Sequence, residues 1–337
     1  MDFKEAYNSW LSSPLFDRDT KDELASISEN PKEIEDRFYR NLEFGTGGLR
    51  GIIGAGTNRM NKYTIGKVTE GFARYIIKQG DFRKDMGAVI AYDPRNMSRE
   101  FALEAALVLC GNGIRVYLFD SLRPTPELSF AVRRLNAAAG IMITASHNPP
   151  EYNGYKVYWE DGGQVTYPMD DEIIKEINLV SDFSEIKKAD PKEAFESGLL
   201  KLIGGEIDDA YIKEVLAQSL SPESIKAASE DFKIVYTPLN GTGNLLVRRA
   251  LGEAGFKNVF VVPEQENPDP AFKTLEYPNP EDPKAFEYAS RLGKKVGADI
   301  LIATDPDADR VGIAVKDKDG GYTLLSGNMI GSLLTYY

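Results

Sequence analysis

The sequence predicts an α/β protein with two consecutive domains, each built on a mixed, mainly parallel sheet. Apolar runs of strand length alternate with helical patterns over residues 87–144, and the same alternation starts again after Gly204-Gly205. Strands that alternate with helices form right-handed crossovers and therefore parallel sheets. A helical arm precedes the first domain, and the truncated start of a third domain follows the second. The predicted boundaries are 1–204, 205–325 and 326–337.

The arm and the first domain are predicted from apolar spacing. Residues 1 to about 40 are expected to form amphipathic helices, because Trp10, Phe16, Ile34 and Phe38 recur near helical spacing. Ser98 is expected to be the N-cap of the first helix of the domain. The predicted strands are 87–92, 114–119, 140–144 and 155–159, with helices at 98–110 and 125–135.

The second domain repeats the pattern. A glycine-rich turn at 240–243 leads from its first strand into its first helix. The predicted strands are 233–237, 258–262, 299–303 and 310–315, with helices at 244–254 and 283–296. Ser326 is expected to begin a further helix with an apolar face.

Composition limits the classes of partner. The 337 residues carry 40 Lys and Arg against 52 Asp and Glu, a net charge of −12 at pH 7. Nucleic acids and anionic membranes attract positive charge, so neither is expected as a partner. No signal peptide and no run of 18 apolar residues is visible, which predicts a cytoplasmic protein. Cys110 and His147 are the single cysteine and histidine, which excludes zinc sites built from several such ligands.

Three aspartates at alternate positions form the sharpest local motif. Asp305, Asp307 and Asp309 follow a predicted buried strand in the segment TDPDADR. In an extended chain neighbouring aspartates would lie about 6.6 Å apart, so the segment must curl if the three carboxylates are to hold one ion. Three carboxylates at the carboxyl end of a strand favour Mg²⁺, with Mn²⁺ and Ca²⁺ as second choices. Arg310 adds a cation for a phosphate that bridges to the metal.

The same motif could instead open an EF-hand or form a solvated acidic turn. The EF-hand needs Gly at position six and Glu at position twelve, where this sequence has Arg310 and Lys316. The predicted flanking elements are also strands rather than helices. The solvated turn remains the alternative to a metal site.

A second polar segment, TASHNP at 144–149, also follows a predicted buried strand. A hydrolase triad is disfavoured because Ser146 and His147 are consecutive, and consecutive side chains in an extended segment point to opposite faces. The G-x-S-x-G elbow is absent as well. The remaining interpretation is a Ser146 hydroxyl that carries a phosphoryl group, with His147 and Lys156 as polar partners. An ordinary turn serine and an exposed strand lysine are the alternatives.

The glycine-rich segment FGTGGLRG at 44–51, which is expected to be a loop, is a third candidate. Its backbone N–H groups and the Arg50 guanidinium could contact phosphate oxygens. It is neither a Walker A loop nor the dinucleotide fingerprint.

Together these segments resemble the α-D-phosphohexomutase superfamily, which includes phosphoglucomutases and phosphomannomutases. The resemblance rests on FGTGGLRG (44–51), TASHNP (144–149), NGYK (153–156), TDPDADR (304–310), PNPE (278–281) and SGN (326–328). The helical arm, RPTPELSFAVR (123–133) and YPNPEDP (277–283) resemble the phosphoglucomutase and phosphopentomutase branch.

The resemblance implies a mutase that interconverts sugar 1-phosphates and sugar 6-phosphates through a sugar bisphosphate, which also serves as activator. It implies that Ser146 carries the phosphoryl group. It further implies roles for the other candidates. Arg50, Arg310 and Lys156 would bind phosphate oxygens, and Lys156 and His147 would handle protons at the sugar hydroxyl. One Mg²⁺ per chain would be held by Asp305, Asp307, Asp309 and an oxygen of phosphorylated Ser146.

Members of the superfamily normally have four domains, and the resemblance covers the first two and the start of the third. The G-E-x-S sugar-reading pattern of the third domain is not found here, so an incomplete fragment is expected. Small sugar phosphates are the expected partners, and the oligomeric state is left open. The alternatives are a phosphopentomutase, an incomplete domain pair that only binds sugar phosphates, and a phosphatase with an aspartate nucleophile, which would leave TASHNP unexplained.

Overall fold

The protein is represented by a computed structural model that describes residues 2–45 and 48–337. Its helices are α1 Phe3–Ser12, α2 Arg18–Ser26, α3 Pro31–Phe38, α4 Lys62–Lys78, α5 Arg83–Met86, α6 Ser98–Gly111, α7 Thr125–Arg134, α8 Met169–Asn178, α9 Pro191–Glu196, α10 Gly205–Ala217, α11 Pro222–Ala228, α12 Gly243–Ala254, α13 Pro263–Glu266, α14 Glu287–Val296 and α15 Gly327–Tyr336. Short 3₁₀ helices occupy Phe183–Glu185 and Pro283–Phe286.

The strands form two sheets. They are β1 Phe44–Gly45, β2 Gly48–Ile52, β3 Ala88–Tyr92, β4 Val116–Phe119, β5 Ala139–Ile143, β6 Tyr152–Trp159, β7 Leu200–Ile203, β8 Lys233–Thr237, β9 Asn258–Val261, β10 Ile300–Thr304, β11 Val311–Lys316 and β12 Tyr322–Leu324. The first sheet has the order β1-β2-β6-β5-β3-β4-β7 and the second β12-β11-β10-β8-β9.

The first sheet is parallel through its centre and antiparallel at one side. Strands β5, β3, β4 and β7 run parallel, and β6 pairs antiparallel with β5 and with β2. Helices α4, α6 and α8 pack together, and α7 packs against β3 and β5. Every residue of β3 and β5 is buried, as expected for strands covered on both faces.

The second sheet repeats this plan with five strands. Strands β10, β8 and β9 are parallel, β11 is antiparallel to β10, and β12 is antiparallel to β11. Its core includes Val235, Leu301 and Ala303, packed with Phe286 and Ala289. The predicted fold class, two α/β units with mixed sheets, is therefore confirmed.

The helical arm forms an aromatic cluster of its own. Trp10 stacks on Phe16 with 4.1 Å between ring centroids, and Phe38 meets Trp10 edge-on. Tyr63 and Phe183 of the first domain complete the cluster. The apolar spacing that predicted the arm is thus the surface that attaches it to the first domain.

Two local predictions were wrong. Ser98 is the first residue of α6 rather than its N-cap, and its hydroxyl donates a 2.7 Å hydrogen bond to Asp93. The segment 44–51 was expected to be a loop, but Arg50 lies on β2, opposite Gly154 of β6. A Cβ atom on Gly154 would lie 2.3 Å from the Thr144 carbonyl oxygen and 2.9 Å from the Leu49 carbonyl oxygen, so the close approach of these backbones requires glycine. Thr46 and Gly47 lie outside the described residues.

The last helix, α15, begins where the sequence predicted. The hydroxyl of Ser326 accepts a hydrogen bond from the Met329 N–H at 3.3 Å and so caps the helix. Among the described helices, none has the length and apolar character needed to cross a bilayer.

Candidate active site

The two polar segments singled out in the sequence meet between the two sheets. Ser146 follows β5 of the first sheet, and the three aspartates lie in the turn between β10 and β11 of the second. The Ser146 hydroxyl donates a hydrogen bond of 3.0 Å to Oδ2 of Asp305. Both segments leave the carboxyl ends of parallel strands, which is where α/β sheets collect ligands.

The aspartate turn curls as its spacing required. One carboxylate oxygen from each of Asp305, Asp307 and Asp309 lies within 4.8 Å of the other two. Ala308 has a left-handed backbone with φ 52°, which turns the chain inside the motif. Asp305 and Asp307 are fully buried, so the solvated-turn alternative is wrong for these two residues.

The pKa values of the two buried aspartates are shifted in opposite directions. Burial, together with the charges of Asp307 and Asp309, raises the pKa of Asp305 well above its usual range. Burial also opposes ionisation of Asp307, but the neighbouring Lys156 outweighs it and lowers the pKa of Asp307. Oδ1 of Asp307 is buried and accepts no hydrogen bond from the described residues. An oxygen in that state, beside two other carboxylates, suits a bound cation.

Lys156, on β6 of the first domain, contacts the aspartate turn of the second domain. Its Nζ lies 2.7 Å from Oδ2 of Asp307 and 3.0 Å from Oδ2 of Asp309. Its side chain is only 11% exposed, so the interpretation as an exposed strand lysine is wrong. Burial opposes the charged form, yet Asp307 and Asp309 outweigh it and raise the pKa of Lys156. Lys156 is therefore a cation at neutral pH.

Ser146 has an unusual backbone. Its φ of 54° is left-handed, and its N–H donates to Oγ1 of Thr144 at 2.8 Å. This turn brings Oγ of Ser146 to 3.1 Å from Nδ1 of His147. The expectation that these consecutive side chains diverge was wrong, because the segment is not extended at Ser146. Burial, then the charges of Arg310 and Arg50, lower the pKa of His147 and so favour the neutral imidazole.

The two predicted arginines flank an open cleft of about 340 Å³. Arg50 donates from Nη1 to Oδ1 of Asn148 at 2.9 Å, and the Arg310 backbone N–H donates to Oδ1 of Asp305 at 3.0 Å. The cleft is lined by Gly45, Gly48, Leu49, Arg50, Thr144, Ser146, Lys156, Gln164, Asp309 and Arg310. The structure thus brings the candidate residues of four separate motifs to one place.

Sequence reasoning missed two residues of this region. Thr125, the first residue of α7, donates from Oγ1 to Oδ2 of Asp307 at 2.9 Å, and its N–H donates to the Asp307 carbonyl at 2.9 Å. Arg95 contacts the backbone of the segment that carries Ser146. Both follow parallel strands, β4 and β3, at the sheet edge where Ser146 lies. Their positions after these two strands were the signal available in the sequence, because both strands were predicted.

Models of one protein family match much of this chain. Two models of the phosphoglucomutase/phosphomannomutase family match this chain, α/β/α domain I over residues 41–182 and α/β/α domain II over residues 209–320. The chain belongs to this family. The matched segments contain Ser146 and the three aspartates, and the resemblance stated from the sequence is confirmed.

Relatives of this family member extend well beyond the matched region. A phosphoglucomutase of Staphylococcus aureus (strain MRSA252) is 42% identical over 311 residues, which are 92% of this chain and 54% of the relative. The chain therefore spans about half the length of the curated relatives it matches.

Solved structures show the same fold. A protein described as a phosphomannomutase of Thermus thermophilus has a TM-score of 0.68 and 27% identity, covering 84% of this chain and 58% of that one. A phosphoglucomutase/phosphomannomutase family protein of Burkholderia thailandensis has a TM-score of 0.63 at 22% identity, covering 83% and 55%.

Proposed function

We propose that this chain carries the phosphoryl-transfer centre of a phosphohexomutase, in which a sugar 1-phosphate and a sugar 6-phosphate interconvert through a sugar bisphosphate. The observation that carries the proposal is the 3.0 Å hydrogen bond from Ser146 to Asp305. It puts a nucleophilic hydroxyl at a cluster of carboxylates, beside cations that can neutralise phosphate oxygens. Phosphoryl transfer depends mainly on such positioning and charge neutralisation.

The aspartates fit a magnesium ion. They offer hard oxygen donors within 4.8 Å of one another. We infer that Asp305, Asp307 and Asp309, with an oxygen of phosphorylated Ser146, hold one Mg²⁺ per chain. The ion supplies charge neutralisation for the phosphoryl group.

We assign the proton transfers of this reaction to His147 and Lys156. When Oγ of Ser146 attacks the phosphorus of a sugar bisphosphate, the neutral His147 accepts the hydroxyl proton at Nδ1. The Oγ–P bond forms, the bond from phosphorus to the sugar oxygen breaks, and Lys156 donates a proton to that oxygen. The reverse sequence returns the phosphoryl group. Arg50 and Arg310 bind phosphate oxygens during both steps.

The test is transfer of a phosphoryl group to Ser146. Dephosphorylated protein is incubated with Mg²⁺ and glucose 1,6-bisphosphate, and the site of phosphate is located by mass spectrometry. We expect labelling of Ser146 and none in Ser146→Ala. Ser121→Ala, in another loop of the same domain, is the control and should be labelled normally. Labelling that survives in Ser146→Ala contradicts the proposal.

The same assay separates the alternatives. Ribose 1,5-bisphosphate as donor distinguishes a phosphopentomutase, which would be labelled faster by the pentose compound. Release of inorganic phosphate that is unaffected by Ser146→Ala would instead indicate a phosphatase that uses an aspartate.

We also propose that the functional units follow the boundaries 1–204, 205–325 and 326–337. Strand β7, Leu200–Ile203, is the last strand of the first sheet along the chain, and β8, Lys233–Thr237, is the first of the second. The first unit carries Ser146 and Lys156, and the second carries the aspartates.

A further inference from the structure

We propose that Arg95 is a positioning residue that holds the segment 146–152 in the conformation that directs Ser146 at Asp305. This inference rests on the proposed function, because it concerns the orientation of the phosphoryl acceptor. Arg95 follows β3 in the sequence Asp93-Pro94-Arg95 and is only 3% exposed.

One guanidinium group contacts the whole segment. Nη2 of Arg95 donates to the carbonyl oxygens of Ser146 at 2.6 Å and Asn148 at 2.5 Å. Nη1 donates to the carbonyl oxygens of Pro149 at 2.8 Å and Tyr152 at 3.1 Å. A planar guanidinium presents several N–H donors in fixed directions, which a lysine ammonium does not. Four carbonyls are thereby held at fixed positions relative to β3.

Asp93, the carboxylate partner of Arg95, is linked to the N–H of Ser146 through the Thr144 hydroxyl. Nε of Arg95 lies 3.2 Å from Oδ2 of Asp93, and Thr144 donates from Oγ1 to the same oxygen at 2.7 Å. Oγ1 of Thr144 in turn accepts the Ser146 N–H. The carbonyl of Ser146 is therefore held by Arg95 and its N–H by the Asp93–Thr144 pair.

This arrangement explains the left-handed backbone of Ser146. A non-glycine residue at φ 54° is disfavoured and persists only where surrounding contacts hold it. In this conformation Oγ of Ser146 reaches both Asp305 and His147. Loss of the contacts to Arg95 should allow the segment to relax and move Oγ away from them.

The second domain contacts the same guanidinium. Phe272, which is fully buried, lies under Arg95 with 5.0 Å from Cζ to the ring centroid. Arg95 is thus packed between the segment that carries Ser146 and the domain that carries the aspartates. Its position is suited to keeping the two reacting parts aligned.

The experiment compares Arg95→Lys with Arg59→Lys. Arg59 is a matched control because it is also buried, at 5% exposure, and its hydrogen bonds go to Asp36 and Asn58. Labelling of Ser146 by glucose 1,6-bisphosphate is followed at saturating and limiting donor. We expect Arg95→Lys to slow the maximal rate about a hundredfold with little change in half-saturating donor concentration, the cost of a misplaced reacting group. Arg59→Lys should leave both values near those of the unchanged protein.

Hydrogen–deuterium exchange gives a readout that needs no activity. Amides of 146–152 should exchange faster in Arg95→Lys, and at the original rate in Arg59→Lys. Unchanged exchange, or equal effects of the two variants on labelling, would overturn the positioning role. If the unchanged protein is not labelled, the proposed function fails and the exchange experiment alone decides the role of Arg95.

Discussion

Ser146 and Asp305 are 159 positions apart in the chain, yet their side chains share a 3.0 Å hydrogen bond. The contact crosses from the first sheet to the second. The site is therefore built from residues of both domains.

Neutralising the two buried aspartates should have opposite effects on stability in metal-free buffer. Asp305 lies beside two other carboxylates, so Asp305→Asn removes repulsion and should raise the melting temperature. Asp307 is paired with Lys156, so Asp307→Asn should lower the free energy of unfolding by about 2 kcal/mol. Calorimetry with a chelator tests both, with Asp319→Asn, on an exposed turn, as control. If the stability of both variants changed in the same direction, the different surroundings assigned to Asp305 and Asp307 would be contradicted.

Thr125→Val should weaken Mg²⁺ binding while preserving the side-chain shape. The substitution removes the hydrogen bond from Oγ1 to Asp307. Loss of a group that orients a metal ligand typically costs about tenfold or more in affinity. Titration calorimetry with Mg²⁺ measures the change. Thr242→Val is the control, because the buried Thr242 hydroxyl has no hydrogen-bond partner among the described residues and should be dispensable.

Glu127 should make the protein less stable as pH rises. Burial, then the interaction with the adjacent Asp208, raises the pKa of Glu127 from 4.5 to about 9. The unfolded chain releases this proton near pH 4.5 and the folded protein near pH 9, so the stabilisation present below the lower value is lost between them. The slope approaches about 1.4 kcal/mol per pH unit for one such group.

Urea unfolding at several pH values measures this slope. Glu127→Gln should flatten it, whereas Glu196→Gln, at an exposed position, should leave it unchanged. A slope that persists in Glu127→Gln would assign the pH dependence to other groups.

His147→Asn should slow labelling of Ser146 without loss of Mg²⁺ affinity. The imidazole Nδ1 lies 3.1 Å from the attacking hydroxyl, and loss of a general base typically costs about a hundredfold or more in rate. Rapid-quench measurement of phosphoserine tests the rate, and calorimetry tests the metal. An unchanged rate would show that another acceptor takes the proton.

The elements of the fold were predictable where local pattern decides them. Strand β8 lies at the predicted residues 233–237, and β10 is displaced by one residue from the predicted 299–303. Ser326 caps its helix as expected, because its partner Met329 is local. Ser98 does not cap α6, and its hydroxyl bonds instead to Asp93, which precedes the helix.

The sequence by itself determined the alternating strands and helices at the centre of both sheets and the identity of the chemical groups, since apolar periodicity and short motifs are local properties. It did not predict the outer strands β1, β2, β7 and β12. Only the tertiary structure decided the left-handed turn at Ser146, the contact with His147, and the difference between Asp305 and Asp307. The same holds for the roles of Thr125 and Arg95. Each of these depends on atoms brought together by packing from separate parts of the chain, and burial and neighbouring charges together then shift the pKa of each group.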